Sequence, residues 1–325
     1  MRKNIFSLLF CAVWSLAAVA APQAGWEPSV KASLGGLIAE NRGNADAYAV
    51  FDFDYTLVLG DSSYVCLWQI LETGDFRDAN MVARLMVDLP EACRPEVEAC
   101  VHGVDAETRV KAFWPLYRRF WRARGDAFGC AWRSRLFAGY ERDDLRGLAR
   151  AAMRENARRT GHRPDAHVPS EKRGFVVLPE VVRLLADLRA AGIAVYVVSG
   201  SRTELLLEGT GPAFGLNIPP NCVFGCDSGV EAGRKPQFIR AQIAPRHHGR
   251  DPVLVAGDSM GDYAMFTEMP GVRRALIFHR ANAGAGSAPL RRLIESAPGP
   301  DGKFLVQGRD EPNGRMIPSH CSVFD

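Results

Sequence analysis

The sequence predicts an α/β protein: a doubly wound, Rossmann-like parallel sheet with an α-helical domain inserted into it. Three observations carry this. Short apolar runs rich in β-formers recur at 48–53, 193–198 and 252–256, and each ends in small or acidic residues. Amphipathic helical patterns alternate with these runs, as βαβ units require. The stretch from 55 to 198 is far longer than the crossover of about 30 residues that joins neighbouring parallel strands, and its pattern is helical.

The chain opens with Arg2 and Lys3, then an almost wholly apolar run from 5 to 20 ending in Ala18-Val19-Ala20. That is the pattern of a secretory signal peptide, so the mature chain is expected to begin at Ala21 and to be periplasmic or secreted. An uncleaved anchor is the alternative. The run is short for a membrane span, and no later stretch qualifies as one. The formal net charge is +3, and the leader carries two of the basic residues. A near-neutral remainder gives no electrostatic case for nucleic acid or an anionic membrane as partner. Eight cysteines become seven without Cys11. Export permits disulfides, with Cys93/Cys100 and Cys222/Cys226 the nearest pairs, but their connectivity is not readable. No cysteine or histidine cluster has zinc spacing. His247-His248 reads as a solvated loop.

A helix over 30–41 leads to the first strand, with Gly43-Asn44 tolerating the left-handed turn that ends it. The strand ends in Asp52-Phe53-Asp54-Tyr55-Thr56-Leu57. Ligands of open α/β sheets bind outside the carboxyl ends of strands, and two carboxylates there suit a hard cation. Taken alone, the pattern is also that of an acidic turn.

The insertion spans 58–175. Val110, Phe113, Trp114, Tyr117, Phe120 and Trp121 recur at spacings of three and four, with Pro115 expected to kink or break that helix. These rings are either the insertion's own core or a surface for a cationic ligand. Leu145, Leu148, Ala149, Ala152 and Met153 mark a second helix, 61–71 and 81–89 weaker ones, and 160–174 a return linker.

The core is thus 21–57 and 176–325. Pro179-Glu180 opens its next helix and Gly192 closes it. Strand 193–198 ends in Ser199-Gly200-Ser201. One helix and one strand near Val223 fill the space before Gly233-Arg234-Lys235-Pro236. Strand 252–256 ends in Gly257-Asp258-Ser259-Met260-Gly261-Asp262, and a strand at 275–278 is expected to finish the sheet. Phe304-Leu305-Val306 is a short strand or anchor, and the last twenty residues suggest no function.

The ordered set of two aspartates, Ser199, Lys235 and Gly-Asp-x-x-x-Asp resembles the haloacid dehalogenase (HAD) superfamily. The position of the insertion resembles its class 1 cap, and the whole is similar to the phosphoserine phosphatase-like branch and to secreted bacterial phosphorylcholine phosphatases. The resemblance implies a phosphomonoester hydrolase. Asp52 would be the nucleophile and Asp54 the general acid and base. Ser199 and the amide of Gly200 would bind phosphate together with Lys235, for which Arg234 is the nearest rival. Mg2+ would be held by Asp52, the Asp54 carbonyl and Asp258, with Asp262 behind them. The implied partner is a small phosphorylated metabolite. A phosphotransferase or mutase, or a non-catalytic binding protein on the same fold, remains open to the sequence.

Overall fold

The computed structural model describes residues 25–157, 175–231, 233–280, 287–297 and 302–324. The expected leader and the expected linker at 160–174 lie outside them.

Six strands form one parallel sheet: β1 (Tyr48–Phe51), β4 (Ala194–Val198), β5 (Val223–Phe224), β6 (Leu254–Gly257), β7 (Arg274–Phe278) and β8 (Phe304–Gln307). Their spatial order is β5-β4-β1-β6-β7-β8. The chain runs outward from β1 through β4 to β5, then returns to the other side of β1 with β6. That reversal puts the topological switch at the carboxyl ends of β1, β4 and β6, where such sheets place ligands. Successive residues of β1 point to opposite faces. Ala49 and Phe51 join one buried cluster, and Tyr48 and Val50 the other. Both faces are covered, which explains the unbroken apolar runs.

The sheet does not end at β7, as the sequence suggested. β8 pairs in register with β7, Leu276 opposite Leu305. After it the hairpin of β9 (Arg309–Asp310) and β10 (Arg315–Met316) folds back. The buried Gln307 amide donates to the carbonyls of Gly25, Gly308 and Ile317, tying the tail to the start of the described chain.

The helices of the core are α1 (Pro28–Glu40), α7 (Pro179–Ala190), α8 (Thr203–Gly209), α9 (Lys235–Phe238), α10 (Tyr263–Thr267) and α11 (Ala288–Glu295). Gly192 ends α7 with φ +85°, a left-handed turn that favours glycine. Between β2 (Val58–Leu59) and β3 (Val176–Val177), which pair antiparallel as a stalk, lie α2 (Ser62–Thr73), α3 (Met81–Met86), α4 (Arg94–His102), α5 (Ala106–Ser134) and α6 (Arg142–Ala157). α5 stays helical through Pro115. The break falls at Gly125, where φ is +84°. The helices of this cap bury Phe113, Trp114, Tyr117 and Trp132 among themselves, and Trp114 stacks on Trp68 at 5.8 Å. These rings are cap core. α6 is held to α8 through Glu208, which accepts from Arg146 and Arg150 at 2.8 and 2.9 Å.

None of the seven described cysteines is in a disulfide. His247 is not solvated as expected. It is buried, stacks on Tyr48 at 4.2 Å and meets the Tyr196 hydroxyl at 2.9 Å, because the turn packs under the sheet; His248 is exposed. Among the described residues no helix is long and apolar enough to cross a membrane.

Candidate active site

Asp52 follows directly on β1, and its amide is still held by the Ala256 carbonyl of β6 at 2.9 Å. Beyond it the chain turns tightly. Thr56 and Leu57 donate to the Phe53 carbonyl, and Tyr55 takes φ +55°, a left-handed conformation uncommon for a bulky residue. The turn brings Asp54 against the first residues of the cap. Its carboxylate accepts from the Ser62 amide at 2.7 Å, the Ser62 hydroxyl at 3.1 Å and the Ser201 hydroxyl at 2.5 Å.

The other chemistry-bearing residues arrive from neighbouring strand ends. Ser199 follows directly on β4, is buried, and its hydroxyl accepts from the Ser201 amide at 3.3 Å. Gly200 beside it is exposed, and a side chain there would meet only open space. Lys235 opens α9 and reaches inward, with Nζ 2.8 Å from Asp52 Oδ1 and 2.7 Å from Asp262 Oδ1. Arg234 points to solvent and pairs with Glu231, so the buried cation here is Lys235. Asp258 follows β6. The second oxygen of Asp262 accepts the amides of Asp258 and Ser259 and the Ser259 hydroxyl, each at 3.1 Å. A Cβ on Gly257 would come within 2.4 Å of the Asp262 carboxyl, which is why glycine stands there.

The charges do not balance. Asp52, Asp258 and Asp262 bring carboxylate oxygens within 4.8 Å of one another, all buried. Burial, with Asp262 and then Asp258 beside it, pushes the Asp52 carboxyl up to about 8, although Lys235 opposes this. Burial and the charge of Asp61 push Asp54 up to about 7, against its hydrogen bonds from Ser201 and Ser62. Burial raises Asp258 as well, with Arg280 opposing. Lys235 is held protonated: burial works against its charge, but Asp262 and Asp52 outweigh it. Asp262 is fully committed to Lys235 and to the loop of Ser259. Two buried cations, Lys235 and Arg280, thus face three buried carboxylates, and Asp52 with Asp258 offers hard oxygen donors that fit a divalent cation.

Several residues here gave no signal in the sequence. Arg280 donates to Asp258 Oδ2 at 2.9 Å and lies over the Tyr55 ring at 3.5 Å. Arg309 and Glu311, from the tail that suggested no function, form a fully buried ion pair at 3.0 Å, and Arg309 also donates to the Tyr55 carbonyl. Ser62 and Ser201 hold Asp54. Asp61, the N-cap of α2, has Arg133 of the cap 3.7 Å away, and that guanidinium lies over the Tyr64 ring at 4.4 Å. The doubled serines after Asp61 and the Ser-x-Ser after β4 were the only available hints.

Residues 49–267 match the family model of haloacid dehalogenase-like hydrolases. No curated protein matches the chain in sequence. Among solved structures, a conserved functionally unknown protein from Anaerococcus prevotii DSM 20548 is similar, with a TM-score of 0.68 and 19% identity over 92% of this chain and 97% of that one. At that identity the likeness shows a shared fold. A phosphoserine phosphohydrolase-like protein from Francisella tularensis subsp. tularensis SCHU S4 overlaps more loosely, with a TM-score of 0.36 and 15% identity over 71% of this chain and 87% of that one, too weak a match to carry an argument.

Proposed function

The chain belongs to the haloacid dehalogenase-like hydrolase family, and from that premise we propose that it hydrolyses a small phosphomonoester, with Mg2+, through an aspartyl-phosphate on Asp52. The observation that carries this is the contact of Lys235 with Asp52, beside two further carboxylates, Asp258 and Asp262, from the loop after β6.

Phosphoryl transfer needs positioning and charge neutralisation more than covalent help from the protein. Asp52 attacks phosphorus, and the ester oxygen leaves. Asp54, lifted toward neutral pH and gripped by Ser62 and Ser201, holds a proton for that oxygen. The same carboxylate then takes a proton from the water that cleaves the intermediate. Lys235 offers a fixed positive charge to the transferring group, and Ser199 with the Gly200 amide offers hydrogen bonds. Asp52, the Asp54 carbonyl and Asp258 are the groups that would hold Mg2+, which when bound supplies charge that neutralises phosphoryl oxygens and favours ionised Asp52.

The cap begins directly after Asp54 and its Ser62 holds that carboxylate, a placement over the site that favours a small leaving group over a protein or duplex nucleic acid. Phosphorylcholine, phosphoserine and phosphoethanolamine are the candidate esters, and Asp61 with Arg133 lies beside Asp54, on the side where the ester oxygen leaves. Trp114 and Tyr117 are not part of that argument, since the cap core encloses them. The test is a screen of small phosphomonoesters, phosphorylcholine and p-nitrophenyl phosphate included, with Mg2+ and with chelator. Release of phosphate into water that stops with chelator is expected. Transfer only to an added acceptor, or no turnover of any ester, contradicts the proposal.

A further inference from the structure

Arg280 follows β7, the strand beside β6, and places a full positive charge on Asp258. A guanidinium is an unexpected neighbour for a carboxylate read as a cation ligand. Its surroundings fix it firmly. One face lies on the Tyr55 ring, and Nη1 donates to Asp258 Oδ2. The charge of the buried Glu311 also favours the protonated guanidinium, and Glu311 is itself held by Arg309. Four segments distant in sequence converge there: the turn after β1, the end of β6, the end of β7 and the tail after β8.

We propose that Arg280 is a positioning residue for the cation site, one that holds Asp258 Oδ2, leaves Oδ1 for the ion and lowers the affinity of the site for a divalent cation. The inference rests on the reading of Asp52 and Asp258 as cation ligands. Two effects oppose each other. A partner that orients a metal ligand is commonly worth 10–100-fold in affinity, roughly. Asp258, however, is already fixed by its place at a strand end and by the bond from its amide to Asp262. The repulsion between a guanidinium and a divalent ion a few ångströms apart, in an effective dielectric of about 20, exceeds that factor. Charge therefore wins. In the cation-free protein Arg280 neutralises Asp258, so the site persists without its ion, and the ion binds reversibly.

The experiment is calorimetric titration of chelator-treated full-length protein with Mg2+, together with thermal melting in chelator and in Mg2+. Arg280→Gln, which keeps an N–H donor and removes the charge, is expected to bind Mg2+ at least about tenfold tighter. It should melt lower than wild type in chelator and recover in Mg2+. Arg280→Lys keeps the charge and should bind within about threefold of wild type. Should Arg280→Gln fold only with Mg2+, its affinity is read by chelator competition, and tighter binding is again the expected result. Equal or weaker binding by Arg280→Gln, or failure to fold even in Mg2+, overturns the proposal and leaves the cation site standing. If wild type takes up no Mg2+, the cation reading fails first and this proposal falls with it.

Discussion

Lys235 Nζ stands 2.7 Å from Asp262 Oδ1, with both side chains shut away from solvent. The pair fixes the ammonium against Asp52 and fixes the loop after β6 at once. Removing one member of a buried pair leaves the other charge uncompensated, at a cost of about 3–5 kcal/mol. Lys235→Met is therefore expected to lose that much stability in denaturant unfolding, along with its activity. A loss below about 1 kcal/mol would show that the carboxylates do not depend on this cation.

Asp52→Asn should lose activity too, but with the opposite effect on stability. The amide keeps the shape and removes one of three crowded carboxylates, so the melting temperature should hold or rise. Turnover should fall by at least about 10³-fold, since the amide cannot attack phosphorus. Turnover near that of wild type in a pure sample would remove Asp52 from its role.

Ser201 bonds to Asp54 and favours its ionised form. Asp54 acts as an acid only while protonated, so activity should fall as pH rises through its pKa. Ser201→Ala raises that pKa further, and the alkaline limb of the kcat profile should move to higher pH. A limb that stays fixed, or moves down, would separate Ser201 from the acid.

The cap is clamped through Glu208. Burial pushes its carboxyl up, but hydrogen bonds from Arg150 and Arg146 outweigh this and leave it lowered from 4.5. A carboxylate with a depressed folded-state pKa contributes stability above its unfolded value and loses it as pH falls through the folded one. The stability difference between wild type and Glu208→Gln should therefore be present at pH 7 and shrink below about pH 4.5. A difference independent of pH would make the clamp a matter of packing alone.

Export with cleavage after Ala20 is the expectation from the first twenty residues. Mass spectrometry of the protein recovered from the periplasm or the medium should find Ala21 at its N-terminus. Cytoplasmic protein that retains Met1 would contradict it.

The sheet was legible because each strand is a continuous apolar run that ends in small or acidic residues. Asp52, Ser199, Lys235 and Asp258 were legible for the same reason, since each stands at or near a strand or helix boundary that local sequence marks. β8 was half-visible: three apolar residues say strand, but not that it pairs with β7. Pro115 misled because a proline in a helix costs one hydrogen bond that the packing of α5 tolerates, while Gly125 gave way instead. Arg280, Arg309 and Glu311 were invisible. An arginine after a strand reads as a solvated charge, and only the folding of the tail against the turn at Tyr55 buries it.

The central claim is a phosphoryl group carried on Asp52. Protein turning over phosphorylcholine or p-nitrophenyl phosphate with Mg2+ can be quenched in acid and digested, and the peptide carrying Asp52 examined by mass spectrometry. The account predicts one added phosphoryl group on Asp52 during turnover, absent from Asp52→Asn and accumulating when Asp54→Asn slows its hydrolysis. Steady release of phosphate with no label on that peptide, or with label on another residue, would contradict it.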